Sequence, residues 1–195
     1  MFNHHYFDME DLKFILRTTA FGGRDISEIK KVIPNLIVIT DYNRDAMGNF
    51  LNAMRYTDAP AIHLEDDIEL CDDFMSKIKH AVSEYPNQII NFFSLRKKDY
   101  ELQRPYEELG SKFMMNQCNY IPAGFGKQIA DFYEVWERKT EHPTGYDILM
   151  ADWMKSKKMK YIQWFPHLVN HLECKSLINP KRSSKRTDTN FKKQI

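Results

Sequence analysis

The chain has no long apolar run, few cysteines and no repeated segment, and each shortage removes a class of protein. No stretch approaches the ~18 consecutive apolar residues of a membrane span, and no amphipathic or apolar anchor for a membrane-bound substrate stands out. The first residues carry neither an h-region nor a cleavage-like site, so no secretory signal is expected. The three cysteines, Cys71, Cys118 and Cys174, are odd in number, far apart and in no metal-ligand spacing. That speaks against a disulfide framework and for reduced thiols in a cytosolic protein. Internal repeats and low-complexity tracts are absent, which excludes solenoids and disordered linkers.

What is present is an ordinary globular composition. Hydrophobic residues make up 43% and aromatics 13% of 195 residues, enough for one domain with a proper core. The net charge of +1 hides an asymmetry, because the last twenty residues are strongly basic. The expected division is therefore a domain over 1–174 and a basic tail over 175–195.

The apolar pattern gives the order of elements. Leu12 to Thr19 reads as a first strand, broken by Phe21-Gly22-Gly23. Asp25 or Ser27 can cap a helix to about Val32, which Pro34 ends. Leu36 to Thr40 is a second strand with Asp41 at its carboxyl end. Asn43 or Asp45 caps a helix to about Tyr56. A third strand then ends in acids. This β-α-β-α-β order with near-continuous apolar strands predicts a mostly parallel sheet with helices on both faces. Further on, helices are expected from Phe74 to Ser83, Lys127 to Lys139 and Gly145 to Lys155. Strands are expected at Ile89 to Leu95, Gln117 to Ile121 and Lys160 to Phe165. Residues 96–116 read as a charged, irregular loop, with a strand at Lys112 to Met115. Trp136, Trp153 and Trp164 read as core.

The third strand carries the chemistry. The apolar run from Ala59 to Leu64 leads straight into Glu65-Asp66-Asp67. Ligands of open α/β sheets collect at the carboxyl ends of strands. Clustered carboxylates repel one another and favour a cation. Hard oxygen ligands suit Mg²⁺ or Mn²⁺, especially where phosphates supply the remaining positions. The plain alternative is a solvated acidic turn, with Asp72 or Asp73 capping the helix that starts at Phe74.

Four features recur in one order: the strand into Glu65-Asp66-Asp67, the turn Pro122-Ala123-Gly124 before a helix, Gly145-Tyr146-Asp147 opening another, and Phe165 to His171 before the basic tail. In this the chain resembles nucleotide-sugar-dependent glycosyltransferases of the GT-A fold, the small bacterial and phage or lipopolysaccharide-transferase type. The resemblance implies a single Rossmann-like α/β domain that moves a sugar from a UDP- or GDP-sugar to an acceptor hydroxyl, with Mn²⁺ or Mg²⁺. Glu65-Asp66-Asp67 would match the acidic DxD motif, with Glu in the first place. Asp67 would bind the ion, Glu65 would face the ribose or the ion, and His171 would complete the metal shell. Arg17, Asp41, Asp66 and the backbone at Gly124 would meet the nucleotide-sugar. Asp147 would match the general base of inverting members, with Asp152 as its competitor. Lys181 and Arg182 in the basic segment would close over the diphosphate.

Each assignment has a structural counterpart. Asp41 equally well caps the next turn, Asp147 is a good N-cap, Arg17 suits a surface ion pair and Gly124 suits a turn. His167 reads as packed rather than ligating, and His4-His5 as a packed or frayed terminus. The basic tail is either a solvated terminus or a contact for a polyanion. The second option points to a hydroxylated base in phage DNA as acceptor, in a bacterial or phage-infected cytosol. Two rivals remain: a nucleic-acid-binding protein without catalysis, and a sugar nucleotidyltransferase. For the latter, Gly22-Gly23 is too sparse for a phosphate loop.

Overall fold

The computed structural model describes residues 11–22, 24–174, 187, 188 and 191. Hydrophobic alternation builds its sheet. In β1 (Lys13–Thr19), Phe14 and Leu16 join one core and Ile15 the opposite one, as the period of two requires. Two crossovers follow, through α1 (Ser27–Val32) to β2 (Leu36–Asp41) and through α2 (Ala46–Arg55) to β3 (Ala61–Glu65). Asp45 caps α2 by accepting a hydrogen bond from the Gly48 N–H at 2.8 Å. β2 and β3 lie on either side of β1, both parallel to it, with Thr19 opposite Asp41 and Arg17 opposite Glu65. The three carboxyl ends therefore share one edge of the sheet.

The chain then makes a short strand outside that sheet, β4 (Ile68–Leu70), and a helix, α3 (Phe74–Glu84). Asp73 sits at the α3 N-cap position without a side-chain capping bond. Next come β5 (Ile90–Asn91), α4 (Lys97–Leu102), β6 (Tyr106–Leu109) and β7 (Cys118–Ile121). They are followed by α5 (Phe125–Val135), α6 (Tyr146–Ser156), β8 (Lys160–Gln163) and β9 (Val169–His171). Among the described residues the main sheet has seven strands in the order β2-β1-β3-β7-β5-β8-β6. Only β7 and β6 run against the others. The result is a mixed, mostly parallel sheet flanked by helices in a single α/β domain.

One face is covered by α1 and α3, whose Ile29, Phe74, Ile78 and Val82 pack with Leu16, Ile62, Leu64 and Phe92. The other is covered by α2, α5 and α6, through Phe50, Met54, Ile129, Leu149 and Trp153. A Cβ on Gly126 would stand 2.5 Å from the Met54 carbonyl oxygen, so this residue sets the close approach of α5 to α2. Trp136, Trp153 and Trp164 are all buried, as expected.

Two expectations need correction. Residues 96–116 are not an irregular loop, since they hold α4 and β6. The region is fastened by Tyr106 donating to Asp99 at 2.6 Å and by Lys98 pairing with Glu108 at 2.9 Å. β6 is an edge strand, so polar residues on its outer side conceal its period. Lys112 to Met115 is not a strand; a 3₁₀ turn at Gly110–Lys112 precedes it, and Met115 has φ 70°.

Two described residues from the expected tail pack on the domain. Phe191 is 2% exposed within the α1/α3 core. Asp188 is buried, and its backbone N–H donates to Asn170 Oδ1 at 2.7 Å. Lys181 and Arg182, like His4 and His5, lie outside the described residues.

Candidate functional site

The shared carboxyl edge of β1, β2 and β3 opens into a cleft of about 690 Å³. Arg17, Asp41, Glu65, Asp66, Asp67 and Asp147 all line it. Residues that sequence reasoning had taken from four separate segments thus meet in one place.

His171 reaches this edge through a second, two-stranded sheet. β4 and β9 pair antiparallel with Ile68 opposite His171, and the Leu172 N–H donates to the Asp67 carbonyl at 2.8 Å. This brings His171 Nε2 to 3.1 Å from Asp67 Oδ2. The His171 ring is fully buried, with Nδ1 2.6 Å from the Leu172 carbonyl oxygen. A carbonyl only accepts, so Nδ1 carries a hydrogen and directs it at Leu172, which leaves Nε2 facing the Asp67 carboxylate. That Nε2 makes no hydrogen bond. An imidazole lone pair and a carboxylate oxygen at this distance repel unless a proton or a metal cation joins them.

The other acids have partners within the chain. Thr18 Oγ1 donates to Asp66 Oδ2 at 2.6 Å, and Arg24 Nη1 lies 2.6 Å from Asp66 Oδ1. The same guanidinium nitrogen is 3.3 Å from Asp67 Oδ2. Glu65 Oε1 accepts from Tyr146 Oη at 2.5 Å and from Arg17 Nη2 at 3.3 Å. Burial, followed by the charge of Asp67, pushes the Glu65 carboxyl upward, against the pull of Arg17 and Tyr146. The Arg17 guanidinium is buried and lies 4.7 Å from the Tyr146 ring and 5.1 Å from the Phe50 ring. It also donates to the Asn116 carbonyl at 3.1 Å. It forms a fixed, positively charged wall rather than a surface pair. Asp41, 9% exposed, does cap its own turn by accepting from the Asn43 N–H at 2.7 Å, yet it still lines the cleft.

Two expected residues lie elsewhere. Gly124 follows β7, which runs antiparallel to β3 with Ile121 opposite Ala61. Its N–H donates to the Asp58 carbonyl at 2.9 Å. Gly124 therefore sits at the opposite edge of the sheet, where its φ of 75° makes a turn. Asp152 comes five residues after Asp147 on α6, which rotates it roughly 140° around the helix. It accepts from Trp136 Nε1 at 2.9 Å and Arg138 Nη1 at 3.1 Å, so it fastens the α5–α6 connection and takes no place in the cleft. His167 is packed, as expected, with Nδ1 3.3 Å from Asp188 Oδ2 and Nε2 3.5 Å from Asp99 Oδ2.

Sequence reasoning missed Arg24 and Tyr146. Tyr146 stands in the Gly145-Tyr146-Asp147 helix opening, where the acid beside it carries the stronger chemical signal. Arg24 had only a weak signal, a cation just beyond a Gly-Gly break at a strand end.

Similarity to known proteins adds information on the fold. The chain resembles the crystal structure of A197 from STIV, with a TM-score of 0.50 and 11% identity over 82% of this chain and 85% of that one. The likeness is one of fold. No family model matches the chain, and no curated protein matches it.

Among the described residues no helix is long and apolar enough to cross a membrane. Nor is any group of three or more His, Cys, Asp and Glu side chains gathered as a ready-made metal cage. The donor set at Asp67 and His171 nonetheless fits an oxygen- and nitrogen-seeking divalent ion whose other positions come from phosphate oxygens and water.

The site borders a buried base with a measurable signature. His63, on β3, is 2% exposed, and its Nδ1 has no hydrogen-bond partner. Burial, with the charge of Arg17 second, pushes its pKa down to about 3. The folded state keeps the ring neutral, whereas the unfolded chain protonates it below about 6.5. Its contribution to stability is complete above that pH and shrinks as pH falls from about 6.5 toward 3. The expected slope is about 1.4 kcal/mol per pH unit. In urea titrations at pH 7.5 and pH 5.0, wild type should lose roughly 2 kcal/mol relative to His63→Leu. An unchanged gap between the two proteins would show that His63 is not held neutral.

Proposed function

We propose that the protein is a metal-dependent glycosyltransferase that moves a sugar from a nucleotide-sugar to an acceptor hydroxyl. The observation that carries this reading is the buried His171 Nε2 set 3.1 Å from Asp67 Oδ2 at the end of an acidic strand. It lies beside a cleft large enough for a nucleotide-sugar and walled by Arg17, Asp41 and Asp147.

Asp67 and His171 would hold Mn²⁺ or Mg²⁺, which neutralises charge on a departing diphosphate. The remaining chemistry belongs to the chain. Asp41, at the end of β2, is positioned to accept hydrogen bonds from the ribose or base. Arg17, fixed by Glu65, Asn116 and the Tyr146 ring, offers a positive wall to phosphate. Asp147, at the first turn of α6, accepts the proton that the acceptor hydroxyl loses on attack. Asp66, with both oxygens engaged by Thr18 and Arg24, ties the strand ends together.

A thermal-shift screen of UDP- and GDP-sugars, with and without Mn²⁺, tests the reading. Ligand at 100 times its Kd stabilises a fold by about 2.7 kcal/mol, roughly 5–10 °C for a chain of this size. The shift is expected only with nucleotide and metal together. No shift with any pair would remove the assignment. DNA carrying hydroxylated bases belongs in the acceptor panel run with whichever donor binds.

A further inference from the structure

Arg24 occupies the place that the proposed reaction needs for its cation. It lies in the loop between β1 and α1, lines the cleft, and has a side chain 16% exposed. Its Nη1 bridges Asp66 Oδ1 at 2.6 Å and Asp67 Oδ2 at 3.3 Å. Asp67 Oδ2 is also the oxygen that faces His171 Nε2 at 3.1 Å. One carboxylate oxygen is thus shared between a guanidinium and a fully buried imidazole nitrogen that makes no hydrogen bond.

We infer that Arg24 is a stand-in cation that hands Asp67 to the divalent ion and moves to the diphosphate, so that metal and nucleotide bind as a pair. The inference rests on the glycosyltransferase reading of this cleft. Its physics is a charge balance. Among the described residues Asp66 and Asp67 share the Arg24 guanidinium, while Glu65 pairs with Arg17. A divalent ion entering beside Arg24 meets a like charge a few ångströms away, in a partly dry site where repulsion is poorly screened. Metal alone therefore binds weakly. A diphosphate brings the opposite charge and offers Arg24 a better, bidentate partner. Each ligand then relieves the obstacle to the other, and the coupling is reciprocal. Arg24 is a positioning residue in this scheme and takes part in no bond-making.

The test is calorimetry on wild type, Arg24→Gln and Arg24→Ala, first with Mn²⁺ alone and then with UDP or GDP at saturating Mn²⁺. Arg24→Gln retains a donor for Asp66, which guards the loop, and a thermal melt of each variant reports folding. Both variants are expected to bind Mn²⁺ alone about tenfold more tightly than wild type. Both should also bind the nucleoside diphosphate about tenfold more weakly once Mn²⁺ is saturating. Tighter Mn²⁺ binding with undiminished nucleotide affinity would overturn the inference, because Arg24 would then be a static counter-ion. Equal Mn²⁺ affinity in all three proteins, with nucleotide still bound, would overturn it and leave the functional reading standing. Failure of wild type to bind either nucleotide with Mn²⁺ would remove both.

Discussion

Asp67→Asn is expected to weaken the Mn²⁺-dependent binding of nucleotide sharply while leaving the fold intact. The substitution keeps the volume and one acceptor oxygen but removes the charge that a divalent ion requires. Loss of one anionic ligand is worth several kcal/mol of charge stabilisation; about 3 kcal/mol corresponds to roughly a hundredfold weaker binding. Stability should not suffer in proportion. Asp67 is one of the charges that push Glu65 upward, so its neutralisation relieves a repulsion. The Leu172 N–H bond to residue 67 uses the backbone carbonyl and survives. Calorimetry with UDP or GDP and Mn²⁺ measures the first effect, and a urea titration measures the second. Affinity within a few-fold of wild type would place the metal elsewhere and leave Asp67 as a structural partner of Arg24.

The part of this site that was legible in the sequence is the part made by strands running into acids. Apart from His63, Ala59 to Leu64 is apolar because β3 is covered on both faces, and such a run opens into the cleft where its acids begin. Asp41 was legible for the same reason at the end of β2. His171 was not. Nothing in its neighbourhood marks it, and it reaches Asp67 through a three-residue pairing between segments a hundred positions apart. It was expected only because the chain resembled a family. Strand direction was equally silent, because an apolar run looks the same in either orientation. Antiparallel β7 carries Gly124 to the far edge, away from the cleft. Asp152 is turned away from Asp147 by the helix period. Arg24 lies in a loop, where side chains follow no repeat and a contact is decided by the tertiary fold alone.

Phe191→Ala is expected to cost about 3–5 kcal/mol, the usual range for emptying a fully packed aromatic site. A basic, polar stretch suggests a solvated tail, and a solvated residue would give no such effect. The structure places Phe191 among the buried residues of the α1/α3 core. Three residues earlier, Asp188 is fixed by both ends of the Asn170 amide, and its carboxylate lies against the buried His167. Burial alone would lower the His167 pKa, but Asp188 and Asp99 outweigh it and raise it, and the ring lies between the two acids. Asn170 belongs to β9, the strand that delivers His171 to Asp67. Loss of Phe191 should therefore loosen Asp188, then Asn170, then the placement of His171. The variant is expected to melt roughly 10 °C lower and to bind Mn²⁺ with nucleotide more weakly, although no residue of the cleft has changed. Saturating nucleotide and Mn²⁺ should recover part of the lost melting temperature, because ligand favours the conformation in which β9 is seated. An unchanged melting temperature would mean that the terminal segment packs on the domain without holding it. Lower stability with unaltered ligand affinity would break the proposed link between β9 and the site.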